Sequence, residues 1–456
     1  VPSCARLDPL AGSKTVVEKG NLSILSRGTC TRGVALMNEL VLPRIKEDCK
    51  NLQAYAVFGA LLAAAGLPIY IHAPKFFVDQ YGVSLAALGS VLFGLRLLDV
   101  VQDPLFGWIS QRLGRQRALA VSGACLIMAL GMLGMFAIPP MLSPLLWFGI
   151  TLTMVFSAFS FLTINFYAQG VQKASTLGPH GHFRLAQWRE TGGLVGVCIA
   201  AIAPVVLGFA LDQPFVGFAV GFAILALVAT RMMRREWAVS PKVTSSLSGF
   251  SVVLRDAHAR QLLLIACVNT APVAVSSTLF LFYVEARLDA PGLEGPLLLL
   301  FFVSAALSVS VWSKWANEIG AKKVLMMSMT ISIFAFGFAS FLGSGDWLAF
   351  SVICVATGAA LGADLTILPA LFSKRMEEIS PSASEGFGLW SFCTKLTLAI
   401  AAVTLLPTLQ GVGFESGSIN NSDESLFVLT FLYAVVPCLL KVIALVLLAT
   451  TKLKVS

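Results

Sequence analysis

The chain has 456 residues, 57% of them hydrophobic and only 12% charged, with a mean hydropathy of +0.83. A soluble globular domain carries about 25% charged residues, so that class is excluded. The formal net charge of +8 invites a nucleic-acid partner, but Lys and Arg gather in alternate joints between apolar stretches, as they do on the cytoplasmic side of membrane proteins, and topology explains the excess without one.

Residues 1–50 are mixed and polar and lack the continuous apolar core of a secretory signal. They read as a cytoplasmic tail, with Met37 as an alternative start. Beyond them come about twelve apolar stretches, each near the ~20 residues that cross a bilayer. The first six are expected at Ala54–His72, Leu85–Trp108, Ala118–Pro139, Pro144–Ala168, Thr191–Leu211 and Phe215–Thr230. The second six are expected at Leu262–Val284, Leu297–Trp315, Val324–Leu342, Trp347–Phe372, Gly388–Leu409 and Leu426–Thr450. Alternate joints hold Arg112, Arg115 and Arg117; Lys173 and Arg184; Arg231 through Arg260; Lys314, Lys322 and Lys323; Lys374 and Arg375; Lys452 and Lys454. The opposite joints hold only Lys75 and Arg287. Both termini are therefore expected in the cytoplasm.

The first stretch ends at His72, which reads either as a satisfied interfacial group or as a proton relay. The second carries "LRLLDVVQDPL", Leu95–Leu105, where Arg96, Asp99 and Asp103 share one helical face at i, i+3 and i+7. Charge facing lipid at mid-bilayer costs several kcal/mol, so these groups should face protein or a watered cavity. Two readings stay open: an ion-coupling site, or a packing ion pair. Asp103, nearest the basic end, is expected to be partly wet, with Arg96 and Asp99 deeper. Arg189 and Glu190 fall at the mouth of the fifth stretch, Asp364 well inside the tenth, and Lys395 inside the eleventh. Lys395 needs an anion, and Asp99 or Asp103 would supply it if the second and eleventh stretches meet. Lys441, in the twelfth, is expected to snorkel to the basic end. Tyr70, Asn165, Tyr167, Asn269 and Trp390 either line a polar cavity or make ordinary helix contacts. Of nine cysteines, Cys125, Cys198, Cys267, Cys354, Cys393 and Cys438 lie in the stretches and read as small packers. No spacing suggests a metal site.

The long basic joint divides the chain into a six-helix bundle over residues 51–230, a loop over 231–260 and a second bundle over 261–456. Each half repeats a piece of sequence after its second stretch: "QRLGRQRAL" from Gln111 and "NEIGAKKVL" from Asn317, which aligns Gly114 with Gly320 and Arg117 with Lys323. Tandem bundles of this kind build many secondary transporters, with substrate held near the midplane between them.

"RLLDVVQDPLFGWISQRLGRQR", Arg96–Arg117, resembles the second helix and following loop of the glycoside–pentoside–hexuronide cation symporters, the melibiose-permease-like branch of the major facilitator superfamily. "FRLAQWRETGGLVG" from Phe183, "GADLTILPAL" from Gly362 and "GFGLWSFCTKLTLAI" from Gly386 are similar to that family's fifth, tenth and eleventh helices. The resemblance spans residues 51–456. It implies an all-α membrane protein of twelve helices in two bundles that works by alternating access. It also implies cation-site carboxylates at Asp99 and Asp103, the fifth-helix arginine at Arg189 and the eleventh-helix lysine at Lys395; by position Arg96 is expected as a second cation facing the aspartates. Arg189, Asp364, Tyr70, Tyr167, Asn165 and Trp390 are then the substrate candidates, and Gly107, Arg112, Gly114 and Arg115 a gating loop. The family's first-helix and fourth-helix acids have no counterpart in Ala54–His72 or around Thr163–Tyr167, and Gln111 replaces an aspartate in the loop.

Two aspartates facing two cations leave little negative charge for sodium, so a proton is favoured as the coupling ion over Na+, with uncoupled transport a third option. The expected function is symport of a small polar or sugar-like solute. The alternatives are a proton-coupled exporter of amphipathic compounds and a non-transporting membrane sensor on the same fold. An enzyme is not expected: there is no phosphate-binding glycine loop or metal-ligand cluster, and the four histidines, at 72, 180, 182 and 258, are scattered. The expected partners are the solute, the coupling cation and membrane lipid, with no cofactor and no nucleic acid. The chain is expected as a monomer in the bacterial inner membrane.

Overall fold

A computed structural model of the chain describes residues 52–237, 250–379, 383–414 and 421–451, and within them leaves out the side chains at 67–71, 75, 85–86, 96 and 115. The expected N-terminal tail and residues 238–249 of the central basic joint lie outside the described residues, as do the side chains of Tyr70, Arg96 and Arg115.

Among the described residues all regular structure is helical. The first crossing is two helices, α1 (Leu52–Ala65) and α2 (Leu67–Tyr81), broken at Gly66. The remaining N-terminal helices are α3 (Leu85–Arg112), α4 (Arg117–Phe136), α5 (Pro144–Thr176), α6 (Gly181–Leu207) and α7 (Pro214–Trp237). After the short α8 (Phe250–Arg255) come α9 (Ala257–Phe282), α10 (Glu294–Trp315), α11 (Ala321–Gly337), α12 (Trp347–Ile379) and α13 (Ser384–Gly411). The last crossing is α14 (Asp423–Thr430) and α15 (Val436–Thr450), joined by a π turn at Phe431–Val435.

Nine helical runs among the described residues are long and apolar enough to cross a membrane. One of them, Glu294–Phe341, contains two crossings, because α10 and α11 meet at the turn Ala316–Gly320. The broken first crossing and the charge-bearing α3 complete twelve, in the expected order. Several begin or end beyond the apolar stretch: α5 runs on to Thr176 and α6 starts at Gly181. His72 consequently does not end its crossing. It lies within α2, and its Nε2 meets the carbonyl of Ala201 on α6 at 3.0 Å.

Side chains at helix starts satisfy the amides that no helical bond reaches. Ser84 accepts from Ala87 N–H at 3.3 Å, Asp256 from Ala259 N–H at 2.7 Å and Ser422 from Ser425 N–H at 3.2 Å. One apolar core is drawn from residues 52–237, centred on Tyr55, Phe58, Phe77 and Phe148. A second, around Phe350, Tyr283 and Tyr433, belongs to the C-terminal half. A third joins the halves, with Ile164, Ala168 and Val171 of α5 packed among residues such as Phe372 and Phe387. The sequence repeat is also a backbone repeat: Gly114 and Gly320 both have left-handed φ, at +45° and +97°, where a Cβ is strained.

Several hydrogen bonds between the halves lie toward the basic end. Ser110 Oγ donates to Ser384 Oγ at 3.1 Å and Gln187 Nε2 to Ser310 Oγ at 3.1 Å. Ser313 Oγ donates to the Phe183 carbonyl at 3.4 Å. Beside them α3 and α13 cross glycine to glycine. A Cβ on Gly107 would stand 2.9 Å from Ser384 O, and one on Gly388 would stand 3.1 Å from Asp103 O and 3.2 Å from Gly107 Cα. Near the start of α3, in contrast, Gly89 and Gly94 have open space around them. Gly388→Val should therefore fold but resist this closed arrangement, by about 1–3 kcal/mol of overpacking. Labelling of S110C by a membrane-impermeant thiol reagent should rise roughly tenfold; unchanged labelling would show that the crossing does not hold the basic end shut.

Candidate functional site

At the middle of the bundle, α3 supplies two carboxylates and α13 an amine. Lys395 Nζ lies 3.1 Å from Asp103 Oδ1 and 3.5 Å from Asp99 Oδ1. It also donates to Ser160 Oγ of α5 at 2.8 Å, and the Ser160 hydroxyl donates to Asp103 Oδ1. Asp99 Oδ1 accepts from Gln102 Nε2 at 2.5 Å, and Gln102 Oε1 accepts from Ser157 at 3.0 Å. The ammonium is the least enclosed member, its side chain 17% exposed against 9% for Asp99 and 0% for Asp103. Asp103 is thus not the partly wet member that its position along α3 led us to expect: Ser160, Lys395 and the close passage of Gly388 seal it. Its Oδ2 is buried with no hydrogen bond.

Lys395 Nζ thus sits among carboxylate oxygens of α3 and a hydroxyl oxygen of α5. Ser157, Gln102 and Ser160 escaped the reading of the sequence. Their signal was present as polar pairs at i, i+3, Asp99 with Gln102 on α3 and Ser157 with Ser160 on α5, but uncharged residues do not stand out in apolar helices. Among the described residues no group of three or more His, Cys, Asp or Glu could hold a metal.

The other candidates separate into distinct settings. Arg189 and Glu190 are not at a helix mouth but well inside α6, 5% and 9% exposed. The pair can be buried because Arg189 Nε donates to Glu190 Oε1 at 2.7 Å, the guanidinium stacks 3.7 Å from the Tyr167 ring centroid, and Tyr167 donates to Glu190 Oε1 at 3.1 Å. Arg189 Nη2 is buried without a bond. Tyr167 also lies 5.2 Å from the ring of Phe387 across the two halves. Asn165 is fully buried and committed elsewhere: its Oδ1 accepts from Ser110 at 2.6 Å and Arg117 Nε at 2.9 Å, and its carbonyl accepts from Arg117 Nη2 at 2.8 Å. Its Nδ2 donates to the Phe161 carbonyl at 2.8 Å, and the residue anchors the start of α4. Trp390 packs against Phe372, ring centroids 5.0 Å apart and tilted by 39°. At the end of α3, Arg112 lies exposed over Trp108 at 3.8 Å, and Gln111 faces the Glu385 carboxylate of the other half.

Asp364 pairs with Lys441, whose Nζ also donates to Asn269 Oδ1 at 2.7 Å. Lys441 therefore does not snorkel. It is 4% exposed and turned into the C-terminal bundle, because two oxygen acceptors there replace the water it would otherwise seek.

At the basic end His182 spans the halves, with Nδ1 2.8 Å from Ser373 Oγ and Nε2 2.6 Å from Glu377 Oε2. Nearby, Arg375 clips α12 to the start of α9 through both oxygens of Asp256, Nε to Oδ1 at 2.9 Å, and reaches Glu378 as well. The Arg375 hydrogen bond holds the Asp256 carboxyl below its ordinary value of 3.8, against the opposing effect of partial burial. A depressed carboxyl contributes stability above its unfolded value and loses it as pH falls through the folded value. Asp256→Asn should thus lower stability by about 1 kcal/mol at neutral pH and by nothing in strong acid. Melting temperature against pH checks this, and a deficit that persisted in acid would contradict it.

A sequence profile of the family described as MFS/sugar transport protein matches residues 52–455. No curated protein sequence matches the chain. Among solved structures, the chain is similar to a bacterial homologue of the iron transporter ferroportin in an outward-facing state, with a TM-score of 0.63 at 13% identity, over 87% of this chain and 98% of that one. It is also similar to a variant of the E. coli fucose:proton symporter FucP, with a TM-score of 0.56 at 14% identity, over 88% and 98% of the two chains. At these identities the two structures speak for the fold alone.

Proposed function

The chain belongs to the MFS/sugar transport protein family, a family of membrane transporters and not of enzymes, and from that premise we propose that it carries a small polar or sugar-like solute together with a cation. The cation is a proton in preference to sodium, the mechanism is alternating access, and the branch is the melibiose-permease-like one.

One observation carries this reading. The ion pair of Lys395 with Asp103 and Asp99 joins α13 of one half to α3 of the other, so a cation that neutralises the carboxylates also cuts an electrostatic tie between the bundles. A proton arriving at Asp103 forms an O–H bond there, leaves Lys395 charged, and removes an attraction of about 5 kcal/mol at an effective dielectric near 20. Occupancy and opening are then one event, as coupled transport requires. Lys395 already counters the two carboxylates, which leaves a metal ion little net charge to bind. The Nη2 of Arg189 is the donor offered to the solute when the bundles part, with Tyr167 and Trp390 as flanking rings. The basic joints orient the chain with both termini in the cytoplasm of, on this reading, a bacterial inner membrane. The closed basic end then corresponds to an outward-facing state.

The test is uptake into proteoliposomes under imposed proton or sodium gradients, screened over sugars, glycosides and organic acids. We expect accumulation of one such solute that follows the proton gradient and collapses with a protonophore. A rate indifferent to both gradients would overturn coupling, and dependence on sodium alone would overturn the choice of ion.

A further inference from the structure

The C-terminal bundle holds a second buried charge pair that the proposed transport site does not use. Asp364 of α12 and Lys441 of α15 are bonded to each other, and Asn269 of α9 accepts from the same ammonium at 2.7 Å. The three are 9%, 4% and 5% exposed. Asp364 Oδ1 is buried and has no hydrogen bond. Asp364 and Lys441 both line a cleft with about 60 Å³ of free space, enough for several water molecules. Hydroxyls of Ser276, Ser332 and Thr357 line it too, and it shares no lining residue with the Asp99–Asp103–Lys395 site.

A purely structural ion pair would satisfy its spare lone pairs, since an unsatisfied buried oxygen is costly. Here the second carboxylate oxygen is buried without a partner, in a residue that lines a cleft with room for water, so that a small local opening brings water to it. Lys441, in contrast, has two oxygen partners and keeps one if Asp364 becomes neutral. We propose that Asp364, Lys441 and Asn269 form a second proton-exchange site, served by water in the cleft of the C-terminal bundle. A proton passes from a protonated cleft water to Asp364 Oδ1, so that one water O–H bond breaks and one carboxyl O–H bond forms. Lys441 stays an ammonium on Asn269, and the cluster moves from net neutral to a charge of +1. Among the residues lining the cleft, the only other titratable group is the Cys438 thiol, which donates to the Ile333 carbonyl at 3.5 Å. The site does not depend on coupling at Lys395. It is nevertheless one helix away from it: two residues before Asn269, the thiol of Cys267 meets that of Cys393, two residues before Lys395.

Infrared spectroscopy of the purified full-length protein, with no solute and no gradient, tests this independently of transport. Among the carboxylic-acid C=O bands that acidification brings up, one component should be lost in Asp364→Asn and retained in Asp99→Asn. Lys441→Met should show the band already at neutral pH. If Asp364→Asn does not fold, Asp364→Glu keeps the carboxyl and should shift the band. No Asp364-dependent band in the wild-type protein at any pH, with one present in Lys441→Met, would identify a permanent ion pair and overturn the proposal. So would a carboxylate signal that responds to sodium and not to pH.

Discussion

Asp103→Asn should leave a folded protein that binds solute but no longer accumulates it, with gradient-driven uptake down about 100-fold. The side chain is fully enclosed, and its Oδ1 takes both the Lys395 ammonium and the Ser160 hydroxyl. An amide cannot carry the charge that ties α3 to α13, and a coupling term of about 3 kcal/mol corresponds to roughly two decades in the coupled quantity. Folding should survive because Lys395 keeps Asp99 at 3.5 Å and is itself partly reached by solvent. The loss of stability should therefore stay near the ~1–3 kcal/mol of a broken charged hydrogen bond, short of the ~3–5 kcal/mol of an orphaned buried charge. The measurement is accumulation against solute counterflow in the same vesicles. Wild-type accumulation in Asp103→Asn would reduce the trio to a packing device.

Arg189→Ala should be the most destabilising single change among the candidate residues. It strands Glu190 inside α6 and removes the guanidinium from the Tyr167 ring. An uncompensated buried carboxylate costs about 3–5 kcal/mol, and loss of a desolvated cation–π stack adds up to ~2 kcal/mol. Arg189→Lys should recover little, because a point charge cannot stack flat on a ring and bond Glu190 at once. The double change Arg189→Ala with Glu190→Gln should recover part of the loss, since the stranded charge is gone. Melting temperatures of the three variants in detergent decide the matter. A double variant no better than Arg189→Ala would mean that the stack, and not the ion pair, holds this part of α6.

The twelve crossings and their order were legible because lipid imposes a coarse rule, about 20 apolar residues per span, that single residues cannot disguise. The meeting of Lys395 with Asp99 and Asp103 was legible for the same reason: three charges in lipid have few permissible partners. Exposure was not. Asp103 is enclosed because Lys395 of a helix nearly 300 residues later and Ser160 of α5 both reach its carboxylate, and no local pattern around Asp103 reports either. Lys441 was misjudged by a rule that weighs distance to the membrane surface, whereas Asp364 and Asn269 settle its direction from two other helices. Asn165 likewise looks like a cavity residue until Arg117 and Ser110 are seen to consume it. The sequence pattern puts Arg189 at a helix mouth because a charge pair interrupts apolar periodicity, although a satisfied pair does not interrupt a helix.

The glycine crossing sets the mechanical advantage of the charged trio. Gly107 follows Asp103 by four residues and Gly388 precedes Lys395 by seven, so acid and amine sit roughly 6 Å and 10 Å along their helices from the point where the backbones touch. Each charge therefore has only a short lever arm about that point. Rocking by roughly 20° would draw the two charges apart by about 2–4 Å, enough to dissolve the tie.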